Sequence, residues 1–508
     1  MASYNSIGAY EATSVIPEFK GLMQYGDGIG TDPRYATEAK NLETFGGVLQ
    51  PAAACTIMTP SLEAPIETLA RLYRRWYTGL DSKEILVAAS GGKLYSMLPT
   101  ASAWTQLAFP TGVSAYTSNV WSWVAYEINP DGAESPVDVL LLSNADDGMV
   151  MVRGDDLTVT AVETPKKFGV IERYAERIWG GAIPDDPDML VYSAPYDPTN
   201  WEANPDIPED GAGDVQQPSW DGDSFTALRT FGSQLIAFKR TRVWRILGTD
   251  PGEYAFKEQY GGGATYENTI AVDNERILML GRDGVKVYDG LSVSPFQQEA
   301  CQHVWAGMNQ PKLDKASAVL WKDKYYVAIP TGTSQINNAV MIYNTTDGTW
   351  MYRDDVSVES WLGTEDTLYF TSSTTPGRIW TWNEDSWATG TATTGTTKWV
   401  TPWNDLSAKS IVKGGFEVYL LCEVKTTAVT LNISLQTEKK TKTKTYTVNP
   451  LTSTEQSAGK SHKQKRIHFG GSGRRFRLII ETNKVAPYSA APWRLISGLL
   501  IVSETDPD

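Results

Sequence analysis

Two sets of side chains in this sequence have types and spacings that could do chemistry. The first is basic. Lys439, Lys440, Lys442 and Lys444 are interleaved with threonines, and Lys463, Lys465, Arg466, Arg474, Arg475 and Arg477 follow. On a strand, Lys440, Lys442 and Lys444 share one face because side chains alternate with period two. Such a patch could meet nucleic acid, remain a solvated hairpin, or dock the acidic face of a neighbouring copy. The second set is acidic: Asp185, Asp186, Asp188, Asp221, Asp223, Glu365 and Asp366. Paired carboxylates can hydrolyse a glycosidic bond. Turn chemistry alone, however, also places Asp in segments of this kind.

Other chemistries are hard to build. A zinc site needs three or four converging Cys, His or carboxylate ligands. The three histidines (His303, His462, His468) and three cysteines (Cys55, Cys301, Cys422) offer neither that density nor a CxxC spacing. No GxSxG elbow accompanies a histidine, so a nucleophile triad has no sequence support. Gly26–Gly30 does not open a helix after a strand, and Gly261–Gly263 lacks a following Lys-Ser/Thr, so neither reads as a phosphate loop. Asp347-Gly348-Thr349-Trp350 is close to the Asp box of sialidases but lacks a residue between Asp and Gly, and that box is a structural turn. The expectation is no cofactor, no metal and no enzyme activity.

The elements that must position these residues follow from composition and pattern. At 508 residues the chain exceeds one small core, and 21% charged with 41% hydrophobic residues is the balance of a globular protein. The net charge is 45 minus 60, or −15, which disfavours general nucleic-acid binding. The segment from Lys409 to Arg477 holds 14 Lys/Arg and 4 Asp/Glu, or +10, leaving −25 for the remainder. The N-terminal residues lack a basic start and apolar run, and no stretch reaches the 18 apolar residues of a membrane span. A cytoplasmic origin without a membrane segment is expected.

Helical spacing occurs at Ser61–Tyr77, where Leu62, Ile66, Leu69, Leu72, Tyr73 and Trp76 recur at three and four residues and Pro65 sits in the first turn; one amphipathic helix is predicted. Elsewhere short apolar runs are punctuated by Gly, Asp, Asn and Pro, the grammar of strands and turns. Seven hairpins are predicted between Ile85 and Trp382: 85–88 with 93–98, 138–142 with 149–152, 175–179 with 189–193, 234–238 with 242–247, 277–280 with 285–288, 324–329 with 339–343, and 368–370 with 378–382. A period of roughly 45 residues is that of a four-stranded propeller blade. Eighteen Trp, including Trp104, Trp123, Trp179, Trp201, Trp244, Trp321, Trp350 and Trp382, suit packing between blades better than sugar platforms. Tyr196–Trp201 and Tyr343–Trp350 resemble the turn-and-Trp element of kelch-type blades.

Ala388–Lys398 is Thr/Gly-rich and reads as a linker; beyond it 416–423, 428–436, 443–448, 465–469, 475–481 and 495–503 read as six strands of a β-sandwich. The predicted class is all-β: an N-terminal arm and helix (1–80), a β-propeller of six to eight blades (81–390) and a C-terminal β-sandwich (391–508).

Four stretches carry a family likeness. They are Ala39–Pro51 (AKNLETFGGVLQP, an Asn followed by a Gly-Gly-x-Leu turn), Tyr174–Trp201, Phe231–Thr249 with Gly281–Gly290, and Gly473–Ile480 with Ala491–Leu495 and Gly498. In these the chain resembles the β-propeller tail hub, nozzle or packaged-DNA stabilisation proteins of short-tailed bacteriophages. The resemblance implies a virion structural protein, assembled in the host cytoplasm as a homo-oligomeric ring, typically a hexamer, below the portal and adaptor. That ring seals the packaged genome and conducts double-stranded DNA at ejection, and an acidic lining would let DNA slide without sticking. The expected subunit contacts set Lys439, Lys440, Lys442, Lys444, Arg474, Arg475 and Arg477 against acidic loops such as Asp185, Asp186, Asp188, Glu209 and Asp210 of the next copy. Two rival readings remain: a carbohydrate-binding propeller, as a receptor-binding tail part or lectin, and a glycoside hydrolase.

Overall fold

The computed structural model describes residues 11–16, 18–25, 31–79, 82–130, 135–216, 223–259, 261–264, 266–384, 396–405, 413–424, 428–483 and 493–504. The chain is all-β. Each of the seven predicted hairpins is the inner pair of a four-stranded antiparallel sheet. The first sheet comprises Ile66–Tyr73, Glu84–Ser90, Lys93–Met97 and Thr105–Gln106, and the second Ser122–Ile128, Val137–Asn144, Gly148–Arg153 and Val159–Val162. The third spans 170–216, the fourth 225–259, the fifth 271–295 and the sixth 317–353. The seventh takes three strands from 361–382 and its fourth, Thr56–Ser61, from far upstream in the chain.

Packing explains the apolar runs. Leu140 and Leu142 of the second sheet join Ile85 and Val87 of the first, whereas Val139 and Leu141 face Ile171 and Ile178 of the third. Successive side chains point to opposite faces, and neighbours cover both faces, so the strand is apolar at four consecutive positions, Val139 to Leu142. The same relation recurs around the series. Ile66, Leu69 and Leu86 of the first sheet pack on Leu362, Tyr369 and Ile379 of the seventh. The arrangement is propeller-like. First strands of neighbouring sheets lie beside one another, which turns them toward the common centre.

The predicted helix at Ser61–Tyr77 is corrected. Those residues form parts of two strands, Thr56–Ser61 and Ile66–Tyr73, assigned to the seventh and first sheets. The helical spacing arises because both faces of the second strand are buried and a bulge lies between Ile66 and Thr68. The bulge puts Ile66 and Leu69, three apart, on one face. Ala70 and Leu72 occupy the other. Among the described residues the α-helices are the five-residue segments Gln302–Ala306 and Ser453–Ser457.

All six strands expected near the C-terminus form, in two sheets. One sheet orders 42–45, 48–51, 494–504, 413–423 and 463–473, with Glu11–Ile16 also on 494–504; the other orders 38–40, 396–400, 476–483, 429–437 and 441–448. Phe416, Val418 and Leu420 of the first sheet share a core with Ile433, Leu435 and Leu478 of the second. The Phe416 and Phe476 rings are 5.4 Å apart across it. The N-terminal segment is thus divided: residues 38–51 complete the paired sheets, while Thr56–Ser61 and Ile66–Tyr73 enter the ring of four-stranded sheets. Of the expected linker, 388–395 lies outside the described residues, and Thr396–Val400 is a strand.

Candidate functional site

The centre of the four-stranded sheets holds a cleft of about 710 Å³. Its walls come from the first strands of four successive sheets and the turns that follow two of them: Val319–Lys322 of the sixth, Trp361–Glu365 of the seventh, Arg71 and Tyr73 of the first, and Trp123 of the second. The aromatic back wall is held rigidly. Trp361 Nε1 donates to the Ser317 carbonyl oxygen at 3.3 Å, and its ring lies 5.6 Å from Trp382 and 5.7 Å from Phe370. Trp321 Nε1 donates to the Thr364 carbonyl oxygen at 2.6 Å. Tyr73 and Trp123 are 42% and 37% exposed, which is high for large aromatics.

Charge is interleaved with the rings. Lys322 Nζ stands 4.2 Å from the Trp321 ring centre and 3.1 Å from Glu384 Oε2. Arg71 lies 5.6 Å from the Tyr73 ring centre. Beside it, Glu84 pairs with Tyr73 in the ladder, and its Oε1 is buried without a hydrogen-bond partner. Burial holds the Glu84 carboxyl above the usual carboxylate range, against the lowering pull of Arg71. Glu365 and Asp366 sit exposed in the adjacent turn. Pockets of this size and mixed lining are those of small ligands. At about 710 Å³ the cleft is too small to enclose a nucleic-acid duplex.

The basic residues gather elsewhere, on the open edges of the paired sheets. Strand 441–448 is the edge of one sheet and 463–473 the edge of the other. The two edges touch: Lys444 Nζ lies 5.8 Å from the Phe469 ring centre, and Lys465 Nζ 5.4 Å from that of Tyr446. Lys439 and Lys440 fall in the turn before the first edge, and Arg474 and Arg475 in the turn after the second. The Arg474 backbone N–H donates to Glu438 Oε2 at 2.9 Å, which joins the two turns. Arg477 differs. It is half-buried, its Nε donates to Gln436 Oε1 at 2.7 Å, and its guanidinium lies 4.7 Å from the Trp403 ring centre.

The acidic residues singled out from sequence are dispersed. Asp186 pairs with Lys166, and Asp188 with the fully buried Lys239, both within this chain. Asp185 is exposed. Glu209 and Asp210 lie exposed on a short 3-10 turn, where the Glu209 carbonyl oxygen accepts from buried Arg177. Asp223 accepts from the backbone N–H groups of Arg240 and Thr241, which is turn chemistry. Asp347 likewise accepts from the Thr349 N–H at 3.0 Å. Asp221 and Gly26–Gly30 lie outside the described residues. His468 Nδ1 is 2.8 Å from Glu417 Oε1, His462 is beside Ser461, and the His303 N–H donates to Gln24. The three cysteines are buried, and burial pushes the Cys422 thiol up to about 12.

Sequence reasoning missed the cleft because it treated the tryptophans alike. Trp179, Trp350 and Trp382 do pack in cores, whereas Trp123 faces the cleft. Position in the first strand of each repeat is the signal that separates them. These features define an all-β, propeller-like protein with a central aromatic cleft.

No protein-family model and no curated protein matches the sequence. Among solved structures, the chain is similar to the WD40 domain of Neurospora crassa Pan2, at 10% identity and a TM-score of 0.36, over 65% of this chain and 96% of that one. It is also similar to BBS1N in complex with ARL6DN, at 10% identity and a TM-score of 0.40, over 65% and 98%. A third is an exo-beta-1,3-galactanase from Phanerochaete chrysosporium, at 9% identity and a TM-score of 0.25, over 87% and 99%. Likeness at this level carries nothing about ligand or activity.

Proposed function

We propose that this chain is a structural subunit of a short-tailed bacteriophage tail, a nozzle or hub protein that assembles as a ring of six below the portal and adaptor. In this reading the seven four-stranded sheets are the blades of a closed propeller and the paired sheets a β-sandwich. The subunit works mechanically: it closes a ring, seals the packaged genome and conducts DNA at infection, with no catalytic residue.

The observation that carries the reading is the interlock formed by Ala39–Pro51, one of the segments in which the family likeness lies. Asn41 is bonded at once to Asp354 after the sixth sheet and to the Thr396 carbonyl of the paired sheets. A subunit under genome pressure must not hinge between its two modules, and this chain passes through both. The −25/+10 charge division favours contact between the acidic ring of one copy and the basic edge of the next. Because the central cleft is too small for a duplex, the DNA conduit in this reading runs between subunits.

Light scattering of the purified protein across a concentration series tests the reading. A discrete ring mass, or ring closure on adding portal and adaptor proteins, is expected. A monomer that never associates, even beside those proteins, overturns it.

A further inference from the structure

We propose that the central cleft is a binding site for a neutral oligosaccharide of pyranose units. A pyranose presents an apolar C–H face and a rim of hydroxyls that both donate and accept. The cleft matches both. Tyr73, Trp123 and Trp361 offer flat rings, two of them substantially exposed. Arg71, Lys322 and Glu365 offer donors and an acceptor along the same walls. The Trp361 ring is fixed before any ligand arrives, since it is anchored through Ser317 and packed in an aromatic cluster. Preorganised aromatics lose little entropy on binding.

Charge selects against anions. Around three cations, Arg71, Lys322 and Lys324, stand four carboxylates, Glu84, Glu365, Asp366 and Glu384. Lys322 is already ion-paired with Glu384. A phosphate or nucleotide would meet four carboxylates around three largely engaged cations, whereas hydroxyls can use both signs. The inference is independent of ring assembly; a strictly monomeric mass leaves it intact.

The full chain is applied to an array of neutral and anionic oligosaccharides, and hits are titrated by quenching of tryptophan fluorescence. Binding to neutral pyranose oligosaccharides is expected, weakened at least tenfold in both Trp123→Ala and Arg71→Ala at an unchanged melting temperature. Should either variant melt early, Glu365→Gln, in an exposed turn, carries the same test. Failure of the wild-type protein to bind any neutral oligosaccharide at millimolar concentration overturns the proposal. So does a preference for anionic glycans, or binding that the variants leave unchanged.

Discussion

Asn41 and Asp354 hold each other by two hydrogen bonds: Asn41 Nδ2 donates to Asp354 Oδ1 at 2.8 Å, and the Asp354 backbone N–H donates to Asn41 Oδ1 at 2.9 Å. The two residues are 313 positions apart. Asn41 is fully buried and sits at φ 54°, a left-handed conformation that asparagine tolerates better than most residues. Its own N–H donates to the Tyr352 carbonyl oxygen, and its carbonyl oxygen accepts from Ala52. One side chain thereby ties the sixth sheet to the paired sheets.

Replacing Asn41 should therefore loosen the joint. Asn41→Ala removes three side-chain hydrogen bonds and adds backbone strain, a cost of about 2–4 kcal/mol. Asn41→Gly relieves only the strain, so it should recover a minor part. Thermal melting of the two variants checks this. Equal stability of wild type and both variants would remove Asn41 as the joint.

Glu43, two residues on, gives a pH dependence. Burial raises its carboxyl above the usual range, although Arg353 nearby opposes the shift. The folded state then holds its proton more tightly than the unfolded chain, whose glutamate titrates near ~4.3. Stability from this group is lost as pH rises from about that value through the folded pKa, and is constant above. Glu43→Gln escapes the loss. Its melting temperature relative to wild type should improve between pH 4 and neutrality; a gap that stays flat or reverses counts against the assignment.

Arg177 organises the loop that presents Glu209 and Asp210. It is 1% exposed and donates to the carbonyl oxygens of Ser193 at 2.8 Å, Gly211 at 2.6 Å and Glu209. Arg177→Met leaves three carbonyls to find other partners, and a loss of about 3–5 kcal/mol is expected. Limited proteolysis should cut first between residues 193 and 213. Cleavage elsewhere at the wild-type rate would show that the loop holds without Arg177.

The basic turns can be separated from the basic packing residue. Arg474→Glu with Arg475→Glu should shift the ring mass toward monomer by light scattering while leaving the stability within about 1 kcal/mol of wild type, as surface changes usually do. Arg477→Glu should instead lower the melting temperature, because its guanidinium is bonded to Gln436 and stacked on Trp403. Unchanged assembly in the double variant would discredit these turns as a subunit contact.

The seven hairpins and the six C-terminal strands were legible in the sequence because their causes are local. Apolar runs and turn residues such as Arg282-Asp283-Gly284 specify a hairpin without reference to the rest of the chain. Where distant residues supply the second half of an interaction, the pattern failed or was silent. Ile66–Tyr73 looked helical because its spacing reflects a bulge and burial by two different neighbouring sheets. Thr56–Ser61 reads as nothing special until Arg378–Trp382, more than 300 residues later, offers it an edge. The cleft is of the same kind. Arg71, Trp123, Lys322 and Trp361 share no local motif, and only the circular packing of four separate repeats brings them to one wall. Composition and periodicity alone thus determined an all-β chain of repeated hairpins with a basic C-terminal segment. Tertiary structure decided which strands meet and which aromatic rings face a cavity, since those outcomes depend on contacts between residues too far apart in the chain for any periodicity to relate them.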